Sequence, residues 1–284
     1  MFMPRRIVEE KLKAVLEEDI GQGDVTAAAI IPKNLEAKAE IVAKEEGIVA
    51  GIEEAVILAE YLGLKAESKV ADGQVVEAKQ VLMQLSGNAR TILTVERTLL
   101  NLLSRMSGIA TQTRTLTEKL QKANVKTRIA ATRKSAPGML YFDKKAVVIG
   151  GGDPHRLHLD DMVLIKDNHL AIVGSIAEAV KKAKANVSFS KKIEVEVTSA
   201  EDALKAAKAG ADIVMLDNFS PKQAKEAAEK LRKAGFDGVL LEASGGITAE
   251  NLLDYASADV DIISMGSLTH SVKALDISLE IIKD

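Results

Sequence analysis

The chain is 284 residues long, 47% hydrophobic and 28% charged, a composition that suits one large α/β barrel or two domains and excludes a disordered chain. With 38 Lys and Arg against 41 Asp and Glu, the formal charge is −3, which argues against a general nucleic-acid or membrane-surface binder. The absence of cysteine removes disulfides, thiolate zinc sites and cysteine nucleophiles.

The opening MFMPRRIVEEKLKAVLEED lacks the apolar core of a signal peptide. No window reaches the ~18 apolar residues of a membrane span, so a soluble cytoplasmic protein is the expectation. Residues 1–110 read as an α+β domain. They hold an amphipathic helix over about Ile7 to Glu18, a GQGDVT turn, the alternating run LEAKAEIVAKEEGIVAG, a helix over about Ile52 to Leu62 and the strand-like ADGQVVEAKQVLMQLSG. A long helical segment from about Ala89 to Lys122 follows and bridges two domains, with Gly108 as a break or a point of close packing.

Residues 111–271 alternate strand and helix. TRIAAT, MVLIK, IEVEV, DIVML, GVLLEA and DIISM are short runs rich in β-branched residues, as parallel strands buried on both faces require. SIAEAVKKAKA, SAEDALKAAKAG, SPKQAKEAAEKLRKAG and TAENLLDYA read as the intervening helices, with Ser199, Ser220 and Thr248 as N-caps and Gly210 and Gly235 as stops. The expected fold is α/β: an irregular (β/α) barrel of fewer than eight strands, beside the N-terminal α+β domain. Periodicity does not show closure, so an open doubly wound sheet is the alternative. A C-terminal helix over 272–284 is expected to join the N-terminal domain.

The residues at or just past the strand ends are Arg133 and Lys134, Lys166, Glu196, Asp217, Glu242, and Gly266 with Ser267. In a parallel barrel this end gathers the catalytic loops. Arg133 and Arg156 offer forks for bidentate pairing with carboxylate or phosphate, and Lys134 and Lys166 add compact point charges. Together they suit a substrate with more than one anionic group. Glu196 and Asp217 would oppose such a ligand unless they face a metal, sugar hydroxyls or a developing positive charge; the plain alternative is that they pair with the lysines. Oxygen-only ligands point to Mg²⁺ over zinc. EASGGI and SMGSLTHS set glycines and hydroxyls at strand ends, a chemistry that suits phosphate. GGGDPHR lacks the G-x-G-x-x-G spacing of a dinucleotide site. His155, His158 and His169 lack zincin spacing, and His158 and His270 are read as structural.

Taken in order, ERTLLNLLSRMSGIAT, TRKSAPG, GGGDPHR, LIKDNH, IEVEV, DIVMLDN, LEASGGI and SMGSLTHS resemble the motif series of the quinolinate phosphoribosyltransferases, the carboxylating nicotinate-nucleotide pyrophosphorylases. The likeness runs from EDIGQGDVT to the last strand. It implies transfer of phosphoribosyl from phosphoribosyl pyrophosphate to quinolinate with Mg²⁺, giving nicotinate mononucleotide, pyrophosphate and carbon dioxide, a step of de novo NAD biosynthesis. It further implies that Arg97, Arg133, Lys134, His155, Arg156 and Lys166 bind quinolinate and that Thr132 also contacts substrate, with Lys134, Glu196 and Asp217 catalytic. Glu196 and Asp217 would lie near ribose and metal, directly or through water, and Ser244, Gly245, Gly246, Gly266 and Ser267 would form phosphate loops. In the family the arginine matching Arg97 comes from a second subunit, which implies a homodimer or a trimer of dimers. Two departures are visible: TRKSAPG where TRKTTPG is common, and LIKDNH where LIKENH is common. Three other readings stay open on the residues: a phosphoribosyltransferase for nicotinate or another anionic base, a non-catalytic anion-binding barrel, and a lyase with a Schiff base on Lys166.

Overall fold

The computed structural model of the chain describes residues 3–282. In chain order its elements begin with α1 (Arg5–Ile20), α2 (Val25–Ile30), β1 (Glu36–Ala43), β2 (Gly47–Ile48), α3 (Ile52–Tyr61), β3 (Lys65–Ser68), β4 (Val75–Val76), β5 (Val81–Asn88) and α4 (Ala89–Lys122). They continue with β6 (Arg128–Ala130), α5 (Leu140–Ile149), β7 (Val163–Ile165), α6 (Asp167–Val173), α7 (Ile176–Asn186), β8 (Ile193–Val197), α8 (Ala200–Ala209) and β9 (Ile213–Asp217). The last are α9 (Pro221–Lys233), β10 (Leu240–Ser244), α10 (Leu252–Ala256), β11 (Ile262–Ser264), α11 (Ser267–His270) and β12 (Ile277–Ile281).

Two compact units emerge. Unit 1 gathers the residues up to Arg114, Ala136–Gly151 and those from Ser271; unit 2 gathers Thr115–Ser135 and Gly152–His270. The chain therefore leaves unit 1, returns for α5, leaves again and returns at the end; the expected division was a cut near residue 110 with a return over 272–284.

Unit 1 is built on an antiparallel sheet in the order β12-β1-β5-β3. The expected C-terminal helix is a strand: Ile277, Leu279 and Ile281 alternate with Ser278 and Glu280, a period of two, and β12 pairs with β1 from Ala39↔Ile281 to Ala43↔Ile277. Lys283 and Asp284, the end of that expected helix, lie outside the described residues. Asp24 accepts a hydrogen bond from the Ala27 N–H and so starts α2 within what reads as a plain turn. Gly108 does not break α4; a side chain there would collide with the backbone of Lys273 and Ala274, so the glycine permits close approach. Helix α5 buries Phe142, Ala146 and Val147 together with Asp143, Lys144 and Lys145. Asp143 is bidentate to Arg105 at 2.7 and 2.8 Å, and Lys145 pairs with Glu54 at 2.7 Å and with Glu53.

Unit 2 is a six-stranded parallel sheet in the order β6-β11-β10-β9-β8-β7, a barrel-like arrangement of fewer than eight strands as expected. On the other side of β6, Asp153 forms a parallel bridge with Ala130. Ile193, Val195, Val197, Val214, Leu216, Leu241, Ala243 and Ile263 alternate along the strands and form one apolar layer with Ala203, Ala206, Ala224, Ala227 and Leu231 of the helices. Alanines on α8 and α9 let the helices approach the sheet closely. Ser199 caps α8, and Ser220 caps α9 in a box with Gln223. The cap of α10 is Asn251 and not Thr248, whose own N–H donates to Asn251 Oδ1. Gly210 ends α8 with φ of 89°; Gly235, at φ 83°, follows the cap Ala234 of α9.

Candidate active site

If one set of alternate positions packs outward, the other must face the interior of the sheet. That interior set is Glu194 and Glu196 on β8, Met215 and Asp217 on β9, Glu242 and Ser244 on β10, and Ser264 on β11. The register sets Glu196 level with Met215 and Glu242, and Asp217 level with Ser244 and Ser264. Acidic and hydroxyl groups thus collect toward the carboxyl ends of neighbouring strands, where a barrel places its chemistry.

Cations meet them from the loops. Arg133, Arg156, Leu164, Lys166 and His169 line a cavity of about 500 Å³ within unit 2. Burial, and then the charge of Arg133, lowers the Arg156 pKa from its ordinary value, whereas Glu194 and Asp161 oppose the shift. Lys166 lies 3.6 Å from Glu196, and its N–H donates to His169 Nδ1 at 3.0 Å. Burial raises the Glu196 pKa, Lys166 lowers it and Asp217 raises it further. The lysine pairing expected as the plain alternative therefore exists for Glu196. At Asp217 the neighbour is Asn218, whose Nδ2 donates to Oδ2 at 2.8 Å.

The TRK turn is tied to the last loop of the unit. Lys134 donates its N–H to Thr132 Oγ1 at 3.1 Å, and its carbonyl accepts the Thr269 hydroxyl at 2.6 Å. A side chain at Gly266 would press on Lys134 Cδ, so Gly266 and Ser267 stand beside the lysine. Gly245 has φ of 95°, and a Cβ there would collide with Asn218 Oδ1, while Asn218 itself has φ of 55° and donates its N–H to the Ser244 carbonyl. Ser244, Gly245 and Gly246 thereby form a fixed turn at the end of β10.

The histidines separate into different settings. His158 is exposed and its N–H donates to Asp161 Oδ2. His155 Nε2 lies 3.0 Å from Glu242 Oε2 and 3.5 Å from Glu194 Oε2. Glu194 and Glu242 are both fully buried, and burial, then the charge of Glu242, pushes Glu194 up to about 8. Sequence reasoning missed Glu194 and took Glu242 only as a strand end. The signal was in IEVEV, where two glutamates two apart on a buried strand must share the interior face. Of the remaining expected residues, Arg97 lies exposed on α4 in unit 1.

Among the described residues, the groups of three or more potential metal ligands within 4.8 Å of one another do not include Glu196 and Asp217. A pair of carboxylates fits Mg²⁺, which is commonly held by one or two carboxylates with water and substrate phosphates completing the shell. No described helix is long and apolar enough to cross a membrane.

Comparison with known proteins finds two domains of one family in order along the chain. Residues 24–107 match the model of the quinolinate phosphoribosyl transferase N-terminal domain, and residues 109–280 that of its C-terminal domain. A probable nicotinate-nucleotide pyrophosphorylase (carboxylating) of Methanocaldococcus jannaschii is 49% identical over 276 residues, covering 96% of each chain. Its counterpart in Methanothermobacter thermautotrophicus is 47% identical over 271 residues, covering 95% of this chain and 97% of that one. The solved nicotinate-nucleotide pyrophosphorylase of Francisella tularensis superposes with a TM-score of 0.89 at 38% identity, covering 99% of this chain and 98% of the other. With both domain models matched in order and relatives of nearly half identity along almost the whole length, the chain belongs to the quinolinate phosphoribosyl transferase family.

Proposed function

We infer that this chain is a quinolinate phosphoribosyltransferase, converting quinolinate and phosphoribosyl pyrophosphate to nicotinate mononucleotide, pyrophosphate and carbon dioxide in NAD biosynthesis. The observation that carries the reading is the meeting of two opposite charge sets in a member of this family: a cavity lined by Arg133, Arg156 and Lys166, with Lys166 3.6 Å from Glu196 at the end of β8. Several cations for one ring suit the two carboxylates of quinolinate better than the single one of nicotinate.

The chemistry required of these residues is electrostatic. The pyridine nitrogen bonds to the anomeric carbon as the bond from that carbon to pyrophosphate breaks. The ribose passes through oxocarbenium character, which the carboxylates of Glu196 and Asp217 stabilise. Glu196 and Asp217 would hold Mg²⁺, which supplies neutralisation of charge on the pyrophosphate. With the nitrogen quaternised, the bond from the ring to the adjacent carboxylate breaks and carbon dioxide leaves. Its electron pair remains on a ring carbon beside positive nitrogen, then takes up a proton. Lys134 and Arg133 hold the ring through its carboxylates while this happens, and the turns at Ser244–Gly246 and Gly266–Ser267 receive phosphate. Arg97 comes from a second chain in this reading, so the working enzyme is at least a homodimer. The lack of cysteine supports a cytoplasmic setting.

The test is release of carbon dioxide from carboxyl-labelled quinolinate with phosphoribosyl pyrophosphate and Mg²⁺, run beside nicotinate. Turnover of quinolinate alone is expected. Turnover of nicotinate alone, or binding of phosphoribosyl pyrophosphate with neither base consumed, overturns the assignment.

A further inference from the structure

On the interior face of its sheet, unit 2 buries two carboxylates that the reaction does not itself call for. Glu194 and Glu242 are both 0% exposed. Both oxygens of Glu194, Oε1 of Glu242 and the hydroxyl of Ser264 are buried without a hydrogen-bond partner. Two neighbouring carboxylates in a barrel interior are costly unless they face positive charge. One cationic group acts on them, Arg156, whose field reaches Glu194, and the ring of His155 lies against both.

His155 is held at three points. Its φ is 53°, a region that side-chain-bearing residues enter only when the surroundings impose it. Its N–H donates to Asp153 Oδ1 at 2.7 Å, and Asp153 is itself bridged to Ala130 of β6. The ring is fixed through Nε2, 3.0 Å from Glu242 Oε2. Through this hydrogen bond the Glu242 carboxylate sets the orientation of the ring.

We propose that Glu242, backed by Glu194, is a positioning residue of the quinolinate subsite, acting through the ring of His155. The proposal rests on the quinolinate reading above. Its test is a double-mutant cycle on the intact enzyme. Glu242→Met keeps the side-chain volume and removes the carboxylate; it is expected to raise the quinolinate KM by about tenfold while leaving the KM for phosphoribosyl pyrophosphate within about twofold. Glu242→Gln, which keeps an acceptor, should recover most of the loss. In a His155→Ala background, Glu242→Met should cost less than about twofold more. Where the Met variant does not fold, Glu242→Asp, one methylene short of the ring, gives the same reading.

An unchanged quinolinate KM in the Met or Asp variant, or losses that multiply in the double variant, overturn the proposal. Nitrogen-15 spectra of the free protein, which has four histidines, separate the two readings. Should the wild type fail to turn over quinolinate, the functional assignment falls, and the His155 ring signals still decide the present point. A change of the His155 ring signals in Glu242→Met supports it, and unchanged signals refute it.

Discussion

Unit 1 buries Lys145 between Glu53, Glu54 and Asp72, whereas unit 2 buries Glu194 with Glu242 and sets the His155 ring against them. In unit 1 the cation is central: burial disfavours the charged lysine, yet its three acidic neighbours carry the Lys145 pKa above the ordinary range. In unit 2 the anions are central, and burial with mutual repulsion pushes Glu194 up to about 8. Glu54 leaves one oxygen without a hydrogen bond, and the Glu194–Glu242 pair leaves three. The first cluster is arranged to anchor a helix. The second holds titratable groups in the same unit as the residues that would grip a dianion, a pattern typical of sites that trade stability for function.

Substitutions can break this contrast. Removing Lys145 strands a fully buried Glu54, so Lys145→Ala is expected to lower stability by roughly 3–5 kcal/mol in urea unfolding. A loss below about 1 kcal/mol would show that the cluster is a surface-grade pair. On the other side, Arg133 and Lys134 are exposed, so Arg133→Ala and Lys134→Ala should keep the wild-type melting temperature. Their kcat/KM for quinolinate should fall on the order of 10²–10³-fold, and near-normal steady-state rates in either would remove them from the substrate. Mixing inactive Arg97→Ala with inactive Lys134→Ala protein should regenerate part of the activity, because one site of each mixed dimer then has both residues; no recovery would exclude a shared site.

Smaller effects sharpen the comparison. Gly245→Ala puts a side chain at φ 95° against Asn218, with an expected cost of about 1–3 kcal/mol, read by thermal unfolding. The pH dependence has a definite sign. A carboxyl raised from 4.5 to about 8 on folding binds more proton in the folded state between those values, so its contribution to stability is present at low pH and is lost as pH rises through about 8. Glu194→Gln should flatten that decline in the unbound protein, and an identical slope in the variant would assign it elsewhere. His158→Ala, at an exposed side chain, should leave the quinolinate KM unchanged.

Much of the site was legible because short apolar runs rich in β-branched residues, each ending in polar residues, give both the strands and their carboxyl ends. Arg133, Lys166, Glu196 and Asp217 follow from that alone. What escaped was written in residues whose burial inverts their usual meaning. DKK in α5 carries three charges, yet Asp143, Lys144 and Lys145 are buried, and the partners of Asp143 and Lys145, Arg105 and Glu54, are distant in sequence. Glu194 was hidden for the same reason, since its neighbours in IEVEV look like ordinary core. The last strand was misread although ISLEI has a period of two, because its pairing partner β1 lies more than two hundred residues earlier and no local signal announces it.

That pairing bears on how the protein is made. Strand β1 lies between β12 and β5 in the sheet, so during synthesis one full side of β1 stays open until the ribosome has delivered residue 281. Unit 2 completes its own sheet only with β11, the strand made just before β12. For the length of time needed to translate the barrel, unit 1 is a nascent sheet with an unpaired edge running along Ala39, Ile41 and Ala43, the kind of edge that recruits other chains. Loss of β12 should therefore show itself first as aggregation on expression, before any effect on chemistry at the barrel can be measured.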